Sequence, residues 1–333
     1  MTPMIYRHLG NSGLKVSVLS IGGWLTFGGH TEKETALECL KAAYDNGINF
    51  FDNAEEYSDG NSELLYGEAF RRFGWDRTTF VVSTKIFWGG KGVNQRGLSR
   101  KHIVEGTNAS LKRLGLDYVD LIYAHRPDDC TPMEEVVRAF NWVISQGKAF
   151  YWGTSEWSAE EIADAHRVAE KLGLIGPLME QPEYNMFKRH RVEVEYQNLY
   201  QKYGLGLTVY SPLACGVLTG KYNDLILPQG SRLTLDDEVK EERWLSQEGQ
   251  ANILKARKLQ EIALRLGVQV SHLALAWCIS NANVSTAIFG ASKVSQVHDN
   301  LKALEALPLL TAEVVAEIED VLGNKPKSLT SFR

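Results

Sequence analysis

Cysteine is scarce and scattered. The chain of 333 residues has four, Cys39, Cys130, Cys215 and Cys278, with no CxxC and no cysteine and histidine at metal-ligand spacing. That argues against a disulfide-stapled secreted fold and a structural metal site, and for reduced thiols in the cytoplasm. Proline is sparse and is not gathered with glycine into a linker, so one domain over residues 1–333 is the economical expectation. No apolar stretch approaches the roughly 18 residues of a membrane span. The opening run MTPMIYRHLGNSGLKVSVLSIGG is broken by Arg7, His8, Lys15 and glycines, unlike a signal peptide. Membrane insertion is therefore not expected. Charge of one sign is not in excess either: the formal net charge of −5 lacks the basic face that nucleic acid requires. Finally, no G-x-G-x-x-G follows the first apolar run, because the pairs Gly22–Gly23 and Gly28–Gly29 have the wrong spacing. A Rossmann domain is disfavoured.

What is present is regular alternation. Short β-branched and aromatic runs at 16–21, 49–52, 80–84, 119–124, 149–153, 178–181, 206–210 and 286–289 read as eight strands. Segments of helical period lie between them, including 34–45 and 103–114. Thr31, Ser99 and Ser158 stand at helix-start positions, the last with Glu161 in capping-box spacing. Eight β-then-α units over a chain of this length fit a (β/α)8 barrel better than a doubly wound sheet. The stretch from Leu9 to Leu14 reads as a hairpin turn closing the barrel floor. A long segment after the seventh strand, 213–244, reads as a functional loop, and the charge run 236–243 within it as a solvated face.

Active sites of such barrels sit at the C-terminal ends of the strands. Asp52, Lys85 and His125 fall after the second, third and fourth strands, with Tyr57 shortly beyond Asp52. A phenol with its pKa near 10 needs a neighbouring cation to become an effective acid at neutral pH. Lys85 supplies that cation, Asp52 keeps the lysine charged, and His125 orients a substrate carbonyl or shares its proton. A lysine in a barrel mouth also suits Schiff-base chemistry, which leaves an aldolase-type lyase as an alternative.

The strings FFDNAEEYSDGNSELLYGEAF, TKIFW, DLIYAHRPD, TPMEEVVRAF, YWGTSEW, EQPEYNMF, YSPLACGVLTGKY, LALAWC and LGNKP occur in this order along the chain. By them the chain resembles the aldo-keto reductase superfamily, in the branch of the voltage-gated potassium channel β subunits and their plant and microbial relatives. The resemblance implies NADPH-dependent reduction of a small-molecule carbonyl, with Tyr57 as proton donor and Asp52, Lys85 and His125 completing a catalytic tetrad. Animal β subunits commonly carry Asn at the position of His125, so the complete tetrad favours turnover. The alternative is a β subunit that binds NADPH and docks on a channel's cytoplasmic domain. The chain is read as lacking an N-terminal extension that could plug a pore, which argues against inactivation by that route but not against docking; relatives form tetramers, so a homo-oligomer is expected.

The resemblance also assigns the cofactor. Ser155 and Gln181 hold the carboxamide, and Tyr210, where relatives have Trp, stacks on the nicotinamide. The backbone of Ser211, Pro212, Leu213, Ala214, Cys215 and Gly216, with Lys221, cradles the pyrophosphate. Gly290 leads into a helix on which Ser292 and Gln296, with Arg232, meet the 2′-phosphate, and Asp299 and Asn300 meet the adenine. Gly23 and Trp24 border cofactor and substrate beside His30. Trp24, Tyr57, Trp88 and His125 line the substrate pocket, with Trp157 a further aromatic candidate. Glu156 departs from the pattern, standing where many members have Asn and animal β subunits Arg. His8, His102, His166, His190, His272 and His298 are expected on helices or surfaces without partners.

Overall fold

The computed structural model describes residues 2–24 and 31–327, which leaves His30 and the Gly28–Gly29 pair outside the described residues. The chain opens with an antiparallel hairpin of β1 (Tyr6–His8) and β2 (Lys15–Ser17). Eight parallel strands follow: β3 (Leu19–Gly22), β4 (Phe50–Asp52), β5 (Val81–Ile86), β6 (Val119–Ala124), β7 (Ala149–Ser155), β8 (Met179–Gln181), β9 (Gly206–Tyr210) and β10 (Val284–Phe289). Each pairs with the next, and β10 returns to β3, closing a (β/α)8 barrel. The outer ring comprises α1 (Lys33–Asp45), α2 (Asn61–Phe73), α3 (Arg100–Leu114), α4 (Met133–Ser145), α5 (Ala159–Leu172) and α6 (Gln197–Tyr203). It continues with α7 (Asp237–Lys240), α8 (Gln247–Arg265), α9 (Val270–Ser280), α10 (Val294–Leu301), α11 (Ala303–Ala306) and α12 (Ala312–Leu322).

Every residue of β5, β6 and β10 is buried, because helices cover one face and the barrel lumen the other. The strand period of two separates these faces. Val82 and Ile86 join the apolar layer under the helices, while Val81 packs in the lumen with Leu9, Val16, Phe50, Leu121, Tyr123, Met179 and Ile288. The same alternation carries Ser83 and Lys85 upward on the inner face. The lumen is thus apolar at the floor and polar at the mouth.

The hairpin seals that floor. Leu9 is fully buried in the lumen cluster, and the Asn11 N–H donates to the Gly204 carbonyl at 2.8 Å. Gly10 has φ +52° and lies so close to the start of β9 that a Cβ would stand 2.6 Å from the Gly204 oxygen. Only glycine fits this contact.

Several expectations change. The run read as a first strand at 16–21 is two strands, because Val18 takes a hydrogen bond partner from each side: its N–H donates to Ile5 and its carbonyl accepts from Ala287. Lys85 lies within β5 rather than after it. The first helix begins after Glu32 without a side-chain cap, so Thr31 is not its N-cap, whereas Ser99 caps α3 and Ser158 with Glu161 forms a capping box on α5. The long segment after β9 is built of short helical turns. Its charge run is not wholly solvated: Arg243 is buried and grips both oxygens of Glu183 at 2.7 and 2.8 Å. Four of the histidines also have partners. His8 Nδ1 meets the Ser12 carbonyl, His102 meets Glu55, His166 stacks on Tyr203, and His272 Nε2 lies 3.1 Å from Asp299.

Truncating the plug tests the sealed floor. Leu9→Ala should lower unfolding stability by about 2–5 kcal/mol in urea titration, the cost of a buried leucine with its cavity. An unchanged midpoint would show that the hairpin does not seal the lumen.

Candidate active site

Asp52, Ser155, Gln181 and Tyr210 are the last residues of β4, β7, β8 and β9, and His125 directly follows β6. Strand register brings Asp52 beside Ser83 and Ser155 beside Gln181. Lys85, fully buried, reaches across this ring. Its Nζ donates to Asp52 Oδ2 at 2.7 Å, to the Asn53 carbonyl at 2.8 Å and to the Tyr57 hydroxyl oxygen at 3.0 Å. Three donors meet three acceptors, so the ammonium is saturated. The other Asp52 oxygen accepts from Ser83 Oγ at 2.7 Å and Gln181 Nε2 at 3.0 Å.

Tyr57 rides on a short segment clamped from below. Glu55 accepts from the Phe87 N–H and lies 3.0 Å from His102 Nε2, and its own N–H donates to the Lys85 carbonyl. Ser58 and Asp59 take φ of 52° and 54° before Gly60, which turns the chain into α2. The Tyr57 ring meets the His125 ring edge-on, centroids 5.9 Å apart.

The electrostatics hold the phenol protonated. Burial pushes Tyr57 well above the usual phenol range, and the Asp52 and Glu56 carboxylates add to this while Arg126 opposes it. The expected acidification by Lys85 is therefore not the resting state: the ammonium is spent on Asp52 as much as on the phenol. Lys85 is itself lowered by burial, with Asp52 pulling the other way. Burial lowers His125 too, against the pull of Glu56, so the imidazole favours its neutral form. Its Nδ1 lies 3.3 Å from Glu56 Oε1, an ion-pair distance without hydrogen-bond alignment.

On the β9–β10 side the mouth is bordered by a run of left-handed backbone with two basic side chains, Lys221 and Arg232, beside it. Ser211, Ala214, Cys215 and Gly216 all have positive φ, between 48° and 95°. Within the run the Ala214 N–H donates to the Ser211 carbonyl and the Gly216 N–H to the Leu213 carbonyl, both at 2.9 Å. Lys221 arches over it, since a Cβ on Gly216 would stand 2.8 Å from its Nζ. Pro212 and Leu213 complete the turn. Arg232 is half-buried, lies over the Trp24 ring at 4.6 Å and donates to the Trp24 carbonyl at 3.2 Å. No carboxylate among the described residues reaches it at ion-pair distance. After β10, Gly290 leads to Ser292, whose N–H and Oγ both donate to Gln296 Oε1 at the start of α10. These residues fit a dinucleotide phosphate. Asp299 faces His272 and Lys302, and Asn300 is buried beside it.

A family model described as Aldo/keto reductase family matches residues 18–322. The chain belongs to the aldo/keto reductase family. Among its relatives are a protein named probable voltage-gated potassium channel subunit beta from Oryza sativa subsp. japonica, 55% identical over 99% of this chain and 100% of the relative, and its namesake from Arabidopsis thaliana, 54% identical over the same shares. A putative voltage-gated potassium channel subunit beta from Schizosaccharomyces pombe is 52% identical over 96% of this chain and 94% of its own. Family membership supports an oxidoreductase. No single helix among the described residues is long and apolar enough to cross a membrane.

This aldo/keto reductase handles its departure at Glu156 internally. Glu156 has φ 60°, accepts from the Glu183 N–H at 2.7 Å and pairs with Arg191 at 2.5 Å. Its charge is thus neutralised beside the mouth. Gly23 sits tightly at the end of β3, its N–H on the Asp52 carbonyl. Trp88 is half-buried, packed by Phe87 and Arg96, whereas Trp157 is buried within the main apolar cluster. Sequence reading passed over Ser83, Asn53, Glu56, the Glu55–His102 clamp and Arg126. The signal for Arg126 was its place directly after His125.

Beneath Ser155 and Glu156 lies Glu180, fully buried, accepting from Thr154 Oγ1 at 2.5 Å and from the Trp157 N–H at 3.3 Å. Burial pushes its carboxyl up to about 8 from the ordinary 4.5. Between those values the unfolded carboxyl is ionised and the folded one is not, so folding loses stability as pH rises through this window. Glu180→Gln, which has no proton to lose, should gain on the wild type between pH 5 and 8, by about 3–5 kcal/mol at the upper end. Urea midpoints against pH read the difference; a flat one would mean Glu180 is ionised in the fold.

Proposed function

We propose that this aldo/keto reductase reduces aldehydes or ketones to alcohols with NADPH, acting as one barrel domain over residues 1–333. The observation that carries the reading is the buried chain Asp52–Lys85–Tyr57, which ends in a protonated phenol at the barrel mouth beside a neutral His125. When bound, NADPH supplies the hydride. Tyr57 gives its proton to the carbonyl oxygen as negative charge grows there, and Lys85, already donating to the phenol oxygen, stabilises the phenolate left behind. Asp52, pinned by Ser83 and Gln181, keeps the ammonium charged. His125 presents a ring nitrogen to orient the carbonyl.

For the cofactor, Ser155, Gln181 and Tyr210 would frame the nicotinamide, and Ser211 to Gly216 with Lys221 would take the pyrophosphate. Arg232, Ser292 and Gln296 would meet the 2′-phosphate, with Asp299 and Asn300 at the adenine. The half-buried Arg232, with no carboxylate at ion-pair distance among the described residues, favours NADPH over NADH, since a guanidinium matches a phosphate. A Schiff-base lyase is disfavoured, because the Lys85 ammonium has all three hydrogens engaged and no free lone pair.

NADPH oxidation against a panel of aromatic and aliphatic aldehydes tests the reading. Tyr57→Phe should lose about 100-fold or more in kcat, the usual yield of a positioned acid. Full activity in the variant would refute the assignment. Arg232→Ala should weaken NADPH binding by about 10- to 100-fold while leaving NADH nearly unaffected, as read by fluorescence titration. Equal losses for both cofactors would remove Arg232 from the phosphate site.

The names of the relatives support a second reading, a homo-oligomeric cytoplasmic β subunit, tetrameric by resemblance, that docks on a channel's cytoplasmic domain. Co-assembly with such a domain, with no turnover on the panel, would favour it over the enzyme.

A further inference from the structure

The strand end that carries His125 also carries a cation that the reduction itself does not use. Arg126 directly follows His125, and its side chain folds back over the mouth. There Nη1 donates to the His125 carbonyl at 2.5 Å and to Ser155 Oγ at 3.3 Å. The guanidinium therefore bridges the ends of β6 and β7, beside the groups proposed to frame the reacting carbonyl. Its charge is felt by Tyr57, Lys85, His125 and Tyr210 alike.

Of the enclosed arginines, Arg77 pairs with Asp120, Arg113 with Glu63, Arg189 with Glu193 and Glu319, and Arg243 with Glu183, whereas Arg7 donates to the Asn281 and Val284 carbonyls and Arg232 lies over Trp24 on the far side of the mouth. Among the described residues, no carboxylate lies within ion-pair distance of Arg126. It is half-buried, and its Nε and second amino group make no hydrogen bond to the described residues yet are not sealed from water. An open two-pronged donor set on a partly desolvated cation is the geometry that takes a carboxylate. The proposed phosphate site lies on the β9–β10 side, whereas Arg126 stands at β6–β7. The anion it would meet therefore belongs to the substrate and not to the cofactor.

We propose that Arg126 selects carbonyl substrates that carry a carboxylate, so that this reductase acts preferentially on oxo acids and carboxy-aldehydes. The inference rests on the reductase reading above. The carboxylate is a spectator to the chemistry: hydride adds to the carbonyl carbon, the Tyr57 proton to its oxygen, and the anionic group only fixes the distance and orientation of the carbonyl.

The experiment compares kcat/KM for 2-, 3- and 4-carboxybenzaldehyde with their methyl esters, using NADPH and the full-length protein. The wild type should favour at least one acid over its ester by about 10-fold or more. In Arg126→Met that acid-to-ester ratio should fall by about 10- to 100-fold, mostly through KM, and Arg126→Lys should keep part of it by retaining the charge without the fork. Raising the salt concentration should erode the wild-type preference and leave that of Arg126→Met unchanged. A wild type indifferent to the carboxylate, or a variant that loses acid and ester turnover in the same proportion, overturns the inference. Ester turnover by the wild type reports the reductase reading separately; if neither acids nor esters are reduced, that reading fails and the selectivity falls with it.

Discussion

The ion pair between Lys85 and Asp52 organises this barrel. Both side chains are almost wholly withdrawn from water at a separation of 2.7 Å. Moving an ammonium and a carboxylate out of water costs several kcal/mol each, and their mutual attraction offsets that only when the remaining lone pairs and hydrogens are also met. The surrounding residues follow from this demand. Ser83 and Gln181 donate to the far Asp52 oxygen, the Asn53 carbonyl takes a second lysine hydrogen, and the third goes to the Tyr57 hydroxyl. The phenol's position is thus set by the completion of a buried charge pair, before any ligand arrives.

Around that centre the mouth has two electrostatic characters. On the β7–β8 side acidic groups are neutralised: Glu156 by Arg191, Glu183 by Arg243, and Glu180 by keeping its proton in a buried site. On the β9–β10 side a run of positive-φ backbone lies beneath Lys221 and beside Arg232. Ordinary residues held in the left-handed region cost about 1–3 kcal/mol each and persist where the surroundings over-determine them. Here the strain is concentrated at Ser211, Ala214 and Cys215, in the tight turn that Lys221 covers.

Much of this was legible along the chain. Parallel strands covered on both faces read as apolar runs, so all eight barrel strands announced themselves, and the capping serines Ser99 and Ser158 marked helix starts through local hydrogen bonds. The hairpin was visible, but its junction with the first barrel strand was not, since Val18 is apolar in either assignment and only its long-range partners Ile5 and Ala287 separate the two strands. Arg243 looked solvated because charge patterning cannot see Glu183 some sixty positions away. His102, on α3, looked idle for the same reason, its partner Glu55 lying in the distant loop after β4.

By itself, then, the sequence determined the barrel, its sealed floor and the candidacy of Asp52, Tyr57, Lys85 and His125, because periodicity and residue type act locally and strand ends share one rim. Tertiary structure alone decided the protonation of those groups and the company they keep. It left the Tyr57 phenol protonated where the placement of Lys85 suggested an acidified one, joined Gln181 to Asp52 across the lumen, and left Arg126 between β6 and β7 with no carboxylate at ion-pair distance among the described residues. Desolvation and charge pairing depend on which distant atoms exclude water and which supply a counter-charge. Barrel closure settles both at once.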